Sequence, residues 1–122
     1  MRYFKSNRLM RILKRSEYLR VKQRGTSVAE SGLVIQAAPV ANSSSYLQPR
    51  VGFTVSKRVG NAVKRNRARR RLKSIASDVL PKEGFQAWDY VFIGRLVTLD
   101  RPYDLLLEDT RAALRKIHQK TI

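Results

Sequence analysis

The sequence predicts an α+β fold, a two-layer sandwich of helices on one small sheet, in the order helix, three strands, helix, strand, helix. Short apolar or alternating runs at Leu33–Val40, Arg50–Ser56 and Trp88–Arg95 have the length and period of strands. A long pattern of 3.6-residue spacing follows the second run, and shorter helical patterns stand near both ends of the chain. Mixed order with so few strands fits helices packed on a single sheet. The 122 residues are one domain's worth, and 43% hydrophobic content suits a folded globule rather than a disordered tail.

Residues 1–8, Met-Arg-Tyr-Phe-Lys-Ser-Asn-Arg, read as a flexible basic arm, and the charges that follow interrupt any signal-peptide apolar region. Around Leu9–Arg24 the pattern turns helical. Ser16 is placed to cap it, with Glu17 in the first turn and Gly25 as the stop. Tyr18 shares a face with Val21 and Lys22. Thr26–Glu30 is a short strand candidate, Ser31-Gly32 a turn, Leu33–Val40 a buried strand and Asn42–Ser45 a polar loop. Arg50–Ser56 alternates Val51, Phe53 and Val55 with Gly52, Thr54 and Ser56, which puts one face in the core.

Gly60-Asn61 is expected to end that strand and open the long helix. There Ala68, Leu72, Ile75, Ala76 and Val79 form an apolar stripe, Asn66, Arg70, Lys73 and Ser77 lie opposite, and Arg67 and Arg69 sit on the flanks. Leu80–Gly84 ends the helix, and Trp88–Arg95 follows as a buried strand. Asp100 is placed to cap a last helix with Pro102 in its first turn. Acids Asp104, Glu108 and Asp109 then precede Arg111, Arg115 and Lys116, the order that complements the helix dipole.

Charge separates the candidate functions. The formal net charge is +17, and it is unevenly placed: residues 1–77 carry 19 basic and 2 acidic side chains, residues 78–122 carry 7 of each. Ser56–Lys73 alone holds nine Lys or Arg and no acid. A helix so charged repels itself at i,i+3 and i,i+4 spacing, and its natural complement is a dense array of phosphates. Arg65-Asn66-Arg67 supplies bidentate guanidinium geometry with an amide beside it. A membrane-surface helix is disfavoured by the narrow stripe of small residues, and a DNA reader by the lack of a base-reading set. Tyr18 is the aromatic that fits an open surface where a base could stack, although a core position fits it nearly as well.

The catalytic inventory is thin. With no cysteine there is no disulfide, thiolate metal site or thiol nucleophile. His118, the one histidine, is expected at the surface near the C-terminus of the last helix, without a partner motif. Ser43-Ser44-Ser45 has no neighbouring base, and the glycines lack phosphate-loop or dinucleotide spacing. Carboxylates that could hold Mg²⁺ lie in residues 78–122, where they fit capping and ion pairing. No apolar run approaches the ~18 residues of a membrane span. The expectation is a cytoplasmic, soluble, polyanion-binding domain.

The run Ser56-Lys57-Arg58-Val59-Gly60-Asn61-Ala62-Val63-Lys64-Arg65-Asn66-Arg67-Ala68-Arg69-Arg70-Arg71-Leu72-Lys73 resembles, without a gap, the strand end and following helix of the bacterial ribonuclease P protein subunit family. Glu17-Tyr18, Val21 and Gly25-Thr26-Ser27 resemble that family's first helix and the turn after it, and Asp89-Tyr90-Val91 its last strand. The likeness runs from about Leu9 to Leu114.

The resemblance implies a small protein partner of a catalytic RNA that removes the 5′ leader from precursor tRNA. Hydrolysis would be carried out by Mg²⁺ bound to that RNA, with no cofactor bound by the protein, no small-molecule substrate and no membrane. It implies a left-handed strand–helix–strand crossover. It assigns Lys57, Arg58, Asn61, Arg65, Asn66, Arg67, Arg69, Arg70 and Lys73 to the RNA-facing motif, Lys73 replacing a usual Arg. Tyr18 matches a leader-cleft aromatic, while Lys22 and Gln36 stand where relatives often have aromatics, so phosphate or polar contacts would substitute there. The alternative from charge alone is a ribosomal or RNA-chaperone protein without a catalytic partner.

Overall fold

Two apolar runs, Leu33–Pro39 (β3) and Trp88–Gly94 (β5), pair antiparallel along their whole length, from Leu33 opposite Gly94 to Pro39 opposite Trp88. They anchor a five-stranded mixed sheet completed by Met10–Arg11 (β1), Thr26–Ala29 (β2) and Arg50–Val55 (β4), in the spatial order β1-β4-β5-β3-β2. This is a computed structural model, and it describes residues 9–40 and 48–121. The helices are Arg15–Arg24 (α1), Ala62–Glu83 (α2) and Tyr103–Thr121 (α3), with short 3₁₀ turns at Lys57–Val59 and Leu96–Leu99. The α+β class and the order of the long elements are as expected. Strands β4 and β5 are parallel neighbours, so α2 is the crossover between them. The basic arm at residues 1–8 and the polar loop at Asn42–Ser45 lie outside the described residues.

Strand alternation distributes the helices between two faces. Ile35, Val51, Val55, Tyr90 and Phe92 pack with Leu72, Ile75, Ala76 and Val79 of α2 and with Leu106, Leu114 and Ile117 of α3 in one buried core. The intervening residue Val91 faces the other way and packs with Val21 of α1 and with Ile12, flanked by Tyr18 and Ile93. Among the described residues, α1 is thus the one helix across the opposite face. Every residue of the expected apolar stripe on α2 is buried, and each large one contributes about 1.5–3 kcal/mol by leaving water.

Boundaries differ where tertiary bonds compete with local pattern. The helix expected from Leu9 begins only at Arg15, because Met10–Arg11 pairs in parallel with β4 and Ile12 donates its N–H to the Val51 carbonyl at 3.0 Å. Lys14, not Ser16, is the N-cap, and its N–H reaches Glu17 Oε1 at 3.3 Å. Strand β4 does not run directly into α2, since the Lys57–Val59 turn intervenes. Gly60 then turns with φ 142°, a left-handed conformation that favours glycine. Asp100 closes the Leu96–Leu99 turn instead of capping α3, and Pro102 stands just ahead of that helix, its carbonyl accepting from Leu106 N–H at 3.0 Å. His118 is not a plain surface residue. Its ring stacks on Phe85 at 3.7 Å between centroids, and Nε2 lies 2.8 Å from the Tyr90 hydroxyl.

One polar cluster fixes α1 to the sheet. The fully buried carboxylate of Asp89, at the start of β5, accepts from Arg50 Nε at 2.8 Å and Nη2 at 2.7 Å, and from Arg20 Nη2 at 2.9 Å. Arg50 Nη1 also donates to Glu17 Oε2 at 2.6 Å, and Arg20 Nη1 to the Pro39 carbonyl at 3.1 Å. Removing the carboxylate leaves two guanidinium groups partly buried against one another. Asp89→Ala is expected to lower unfolding free energy by about 3–5 kcal/mol in urea titrations.

Burial and then the hydrogen bond to the Asp78 carboxylate push the Tyr103 phenol up to about 12. Between about pH 10 and 12 the native state keeps a proton that the unfolded chain has released, so this contact's contribution declines as pH rises through that window. Phenolate absorbance of the protein minus that of Tyr103→Phe should show a midpoint near 12; a midpoint near 10 would mean the Asp78 contact is absent in solution.

Candidate nucleic-acid interface

The turn and the first half of α2 form one continuous cationic surface. Lys57 and Arg58 are exposed on the 3₁₀ turn. Asn61, expected to contact ligand, caps α2 through Oδ1, which accepts from Lys64 N–H at 3.0 Å. Its side-chain NH₂ remains a donor for a ligand. Lys64, Asn66, Arg67, Arg70 and Lys73 are exposed, while Arg65 and Arg69 are half-buried. Asn66 Oδ1 accepts from Arg69 Nη1 at 3.2 Å, which orders two of the predicted residues relative to each other.

Two cations of this stretch are engaged with the fold. Arg71, outside the predicted contact set, donates through Nη2 to the Arg101 carbonyl and ties α2 to the start of α3. Arg67 forms a solvent-exposed ion pair with Asp100 at 3.2 Å. Among the described residues, the Nε atoms of Arg65 and Arg71 are shielded from solvent without a hydrogen-bond partner. The helix can bear such repulsion because its other face is buried in the core, whereas each like-charged pair on the exposed face costs about 0.2–0.5 kcal/mol. A polyanion laid along that face would remove much of this cost.

The second surface lies on the opposite side of the sheet. Tyr18, Lys22 and Gln36, separated by up to 18 positions in sequence, line a single cleft of about 230 Å³ with Leu19, Thr54, Val91 and Ile93. It adjoins a hollow of about 400 Å³ lined by Leu13, Arg15, Tyr18, Leu19 and Thr54. Tyr18 is half-buried, between the open position and the core position weighed from the sequence. Its ring packs on β4 at Gly52, where any Cβ would come within 2.4–2.5 Å of the ring and hydroxyl, and its hydroxyl reaches the Ile12 carbonyl at 3.5 Å. A ligand can still meet the ring from the cleft. Leu13, Arg15, Leu19 and Thr54 were missed in the sequence. The available signal was the small and polar phase of β4, Gly52 and Thr54, which leaves room beneath α1. Among the described residues, no three His, Cys, Asp or Glu side chains are grouped to hold a metal, and no helix is long and apolar enough to cross a membrane.

The comparisons with known proteins agree with one another. The family model described as Ribonuclease P matches residues 6–118. The ribonuclease P protein component of Paramagnetospirillum magneticum is 50% identical over 111 residues, covering 90% of this chain and 84% of that protein. That of Ruegeria pomeroyi is 49% identical over 106 residues, covering 86% and 83%. Among solved structures, the Staphylococcus aureus RNase P protein superposes with TM-score 0.71 at 27% identity, covering 89% of this chain and 95% of that one. The Thermotoga maritima RNase P protein gives TM-score 0.70 at 21% identity, which supports the fold alone. A cationic helix over a sheet, with a cleft beneath the first helix, therefore comes with family-wide sequence likeness, and the chain belongs to the ribonuclease P protein component family.

Proposed function

We propose that this chain is the protein subunit of a ribonuclease P holoenzyme. It binds the catalytic RNA through the α2 surface and the 5′ leader of precursor tRNA in the cleft beneath α1. The observation that carries the reading is the acid-free cationic stretch from Lys57 to Lys73 held rigidly on a packed scaffold. Membership of the family supports a role in tRNA processing; which residues meet which RNA is the proposal. Lys57, Arg58, Asn61, Arg65, Asn66, Arg67, Arg69, Arg70 and Lys73 are assigned to the catalytic RNA, Tyr18, Lys22 and Gln36 to the leader.

Two folded RNAs brought together crowd their phosphates. Fixed cations at the junction lower that cost and reduce the Mg²⁺ concentration needed for assembly and for occupancy of the ions that the RNA holds. In this reading phosphodiester hydrolysis belongs to the RNA and its Mg²⁺. The protein places the substrate. Its side of the work is electrostatic on α2 and a matter of stacking and polar contact in the cleft, where Lys22 can meet a phosphate and Gln36 a base edge or a ribose hydroxyl. The proposed compartment is the cytoplasm, where precursor tRNA is made.

Cleavage of precursor tRNA by the cognate catalytic RNA at low Mg²⁺ should require the protein. A triple replacement of Arg65, Arg67 and Arg70 by Gln should abolish that rescue and flatten the salt dependence of RNA binding by roughly 0.7–0.9 per lost contact. Equal cleavage with and without protein, or an unchanged slope, would refute the assignment. Tyr18→Ala should weaken leader-bearing tRNA by about 1–3 kcal/mol and leave mature tRNA nearly unaffected; an equal loss for both would make Tyr18 a packing residue only.

A further inference from the structure

Among the described residues, one acid pairs with the cationic stretch 56–73. This is Asp100, whose Oδ1 lies 3.2 Å from Arg67 Nη2, with the two side chains 84% and 54% exposed. An acid on a loose loop would swing away from an approaching phosphate. Asp100 sits instead on a pinned corner. Thr98 is fully buried, and its hydroxyl accepts from Arg95 N–H at 2.9 Å and donates to the Gly32 carbonyl. The N–H groups of Asp100 and Arg101 both reach the Val97 carbonyl, at 3.3 and 3.0 Å. The carbonyl of Arg101 holds Arg71 of α2, and the Arg101 guanidinium grips Asp109 through two bonds of 2.6 and 3.2 Å. The backbone under Asp100 is thereby fixed relative to α2.

We propose that Asp100 is an anionic edge of the RNA-facing surface, on a fixed backbone corner, and biases which polyanions that surface accepts. This inference rests on the reading that α2 faces RNA. The carboxylate takes one N–H of Arg67 and repels phosphate from that flank. A structured RNA whose backbone leaves a gap there loses nothing, while a flexible polyanion, which binds in many arrangements, meets the charge in a share of them. The contact to Arg67 is monodentate, so the remaining N–H groups of Arg67 stay available to a ligand that approaches from the α2 side. Because the pair is exposed, its effect is modest and suited to selection rather than to closure of the surface.

The test compares the whole protein with Asp100→Asn, titrating ribonuclease P catalytic RNA and polyuridylate across a range of salt. The Asn variant should bind polyuridylate about two- to fivefold more tightly. Its salt slope should steepen by up to about 0.7, and the catalytic RNA should gain less. Asp100→Glu keeps the charge and should behave as the parent. In an Arg67→Gln background the gain from Asp100→Asn should shrink. Equal gains on both RNAs, no gain, or a Glu variant that behaves like Asn would overturn the proposal. A parallel Arg65→Gln/Arg70→Gln variant separates the two levels. If it weakens binding while Asp100→Asn does nothing, only the edge fails; if it too changes nothing, the α2 reading fails and the edge falls with it.

Discussion

The buried carboxylate of Asp89 is the contact on which the arrangement of both surfaces depends. It collects Arg50 from β4 and Arg20 from α1, and Arg50 in turn holds Glu17 at the start of α1. Without it, α1 would rest on the sheet through the small cluster of Ile12, Val21 and Val91 with Tyr18 and Ile93, and through the Arg20–Pro39 and Arg50–Glu17 bonds. A buried carboxylate is costly unless its oxygens are taken up by charged donors, and here both are. The geometry follows from that requirement. Guanidinium groups from two elements must converge on one point, so α1 can cross the sheet in only one way. The cleft beneath it then has a defined width.

The two faces of the sheet divide the labour. On one, α2 and α3 bury a continuous core that carries most of the folding energy. That core lets α2 hold a row of like charges which an isolated helix would not tolerate. On the other face packing is sparse, and Gly52 and Thr54 leave space where larger strand residues would have filled it. Tyr18 occupies part of that space and leaves the rest as cleft. Strand β4 links the two surfaces: its Thr54 lines the cleft, and within two residues of its end the cationic turn begins.

The second 3₁₀ turn, Leu96–Leu99, and the residues after it complete the frame of α2. Arg71 is spent on the Arg101 carbonyl and Arg67 is shared with Asp100. A cation-rich helix is therefore not a uniform row of ligand contacts. Its two flanks differ, one given to the fold and the other to solvent. The same economy appears at Asn61, whose amide oxygen satisfies an orphan N–H at the start of α2.

The class of the fold, the buried stripe of α2 and the cationic stretch can be read from the order of residues, because each rests on local periodicity or on uninterrupted charge. Family likeness carried by contiguous residues was legible for the same reason. Features that depend on partners distant in the chain emerge only in the folded molecule. Met10–Arg11 became a strand because β4 offered an edge, and Lys14 replaced Ser16 as cap because Glu17 was positioned between Lys14 and Arg50. His118 is half-buried against Phe85 and Tyr90, and Asp100 turned from a helix cap into the neighbour of Arg67. Apart from the local Lys14–Glu17 bond, these contacts join residues 28 to 40 positions apart, and a one-dimensional pattern carries no record of which distant groups will meet.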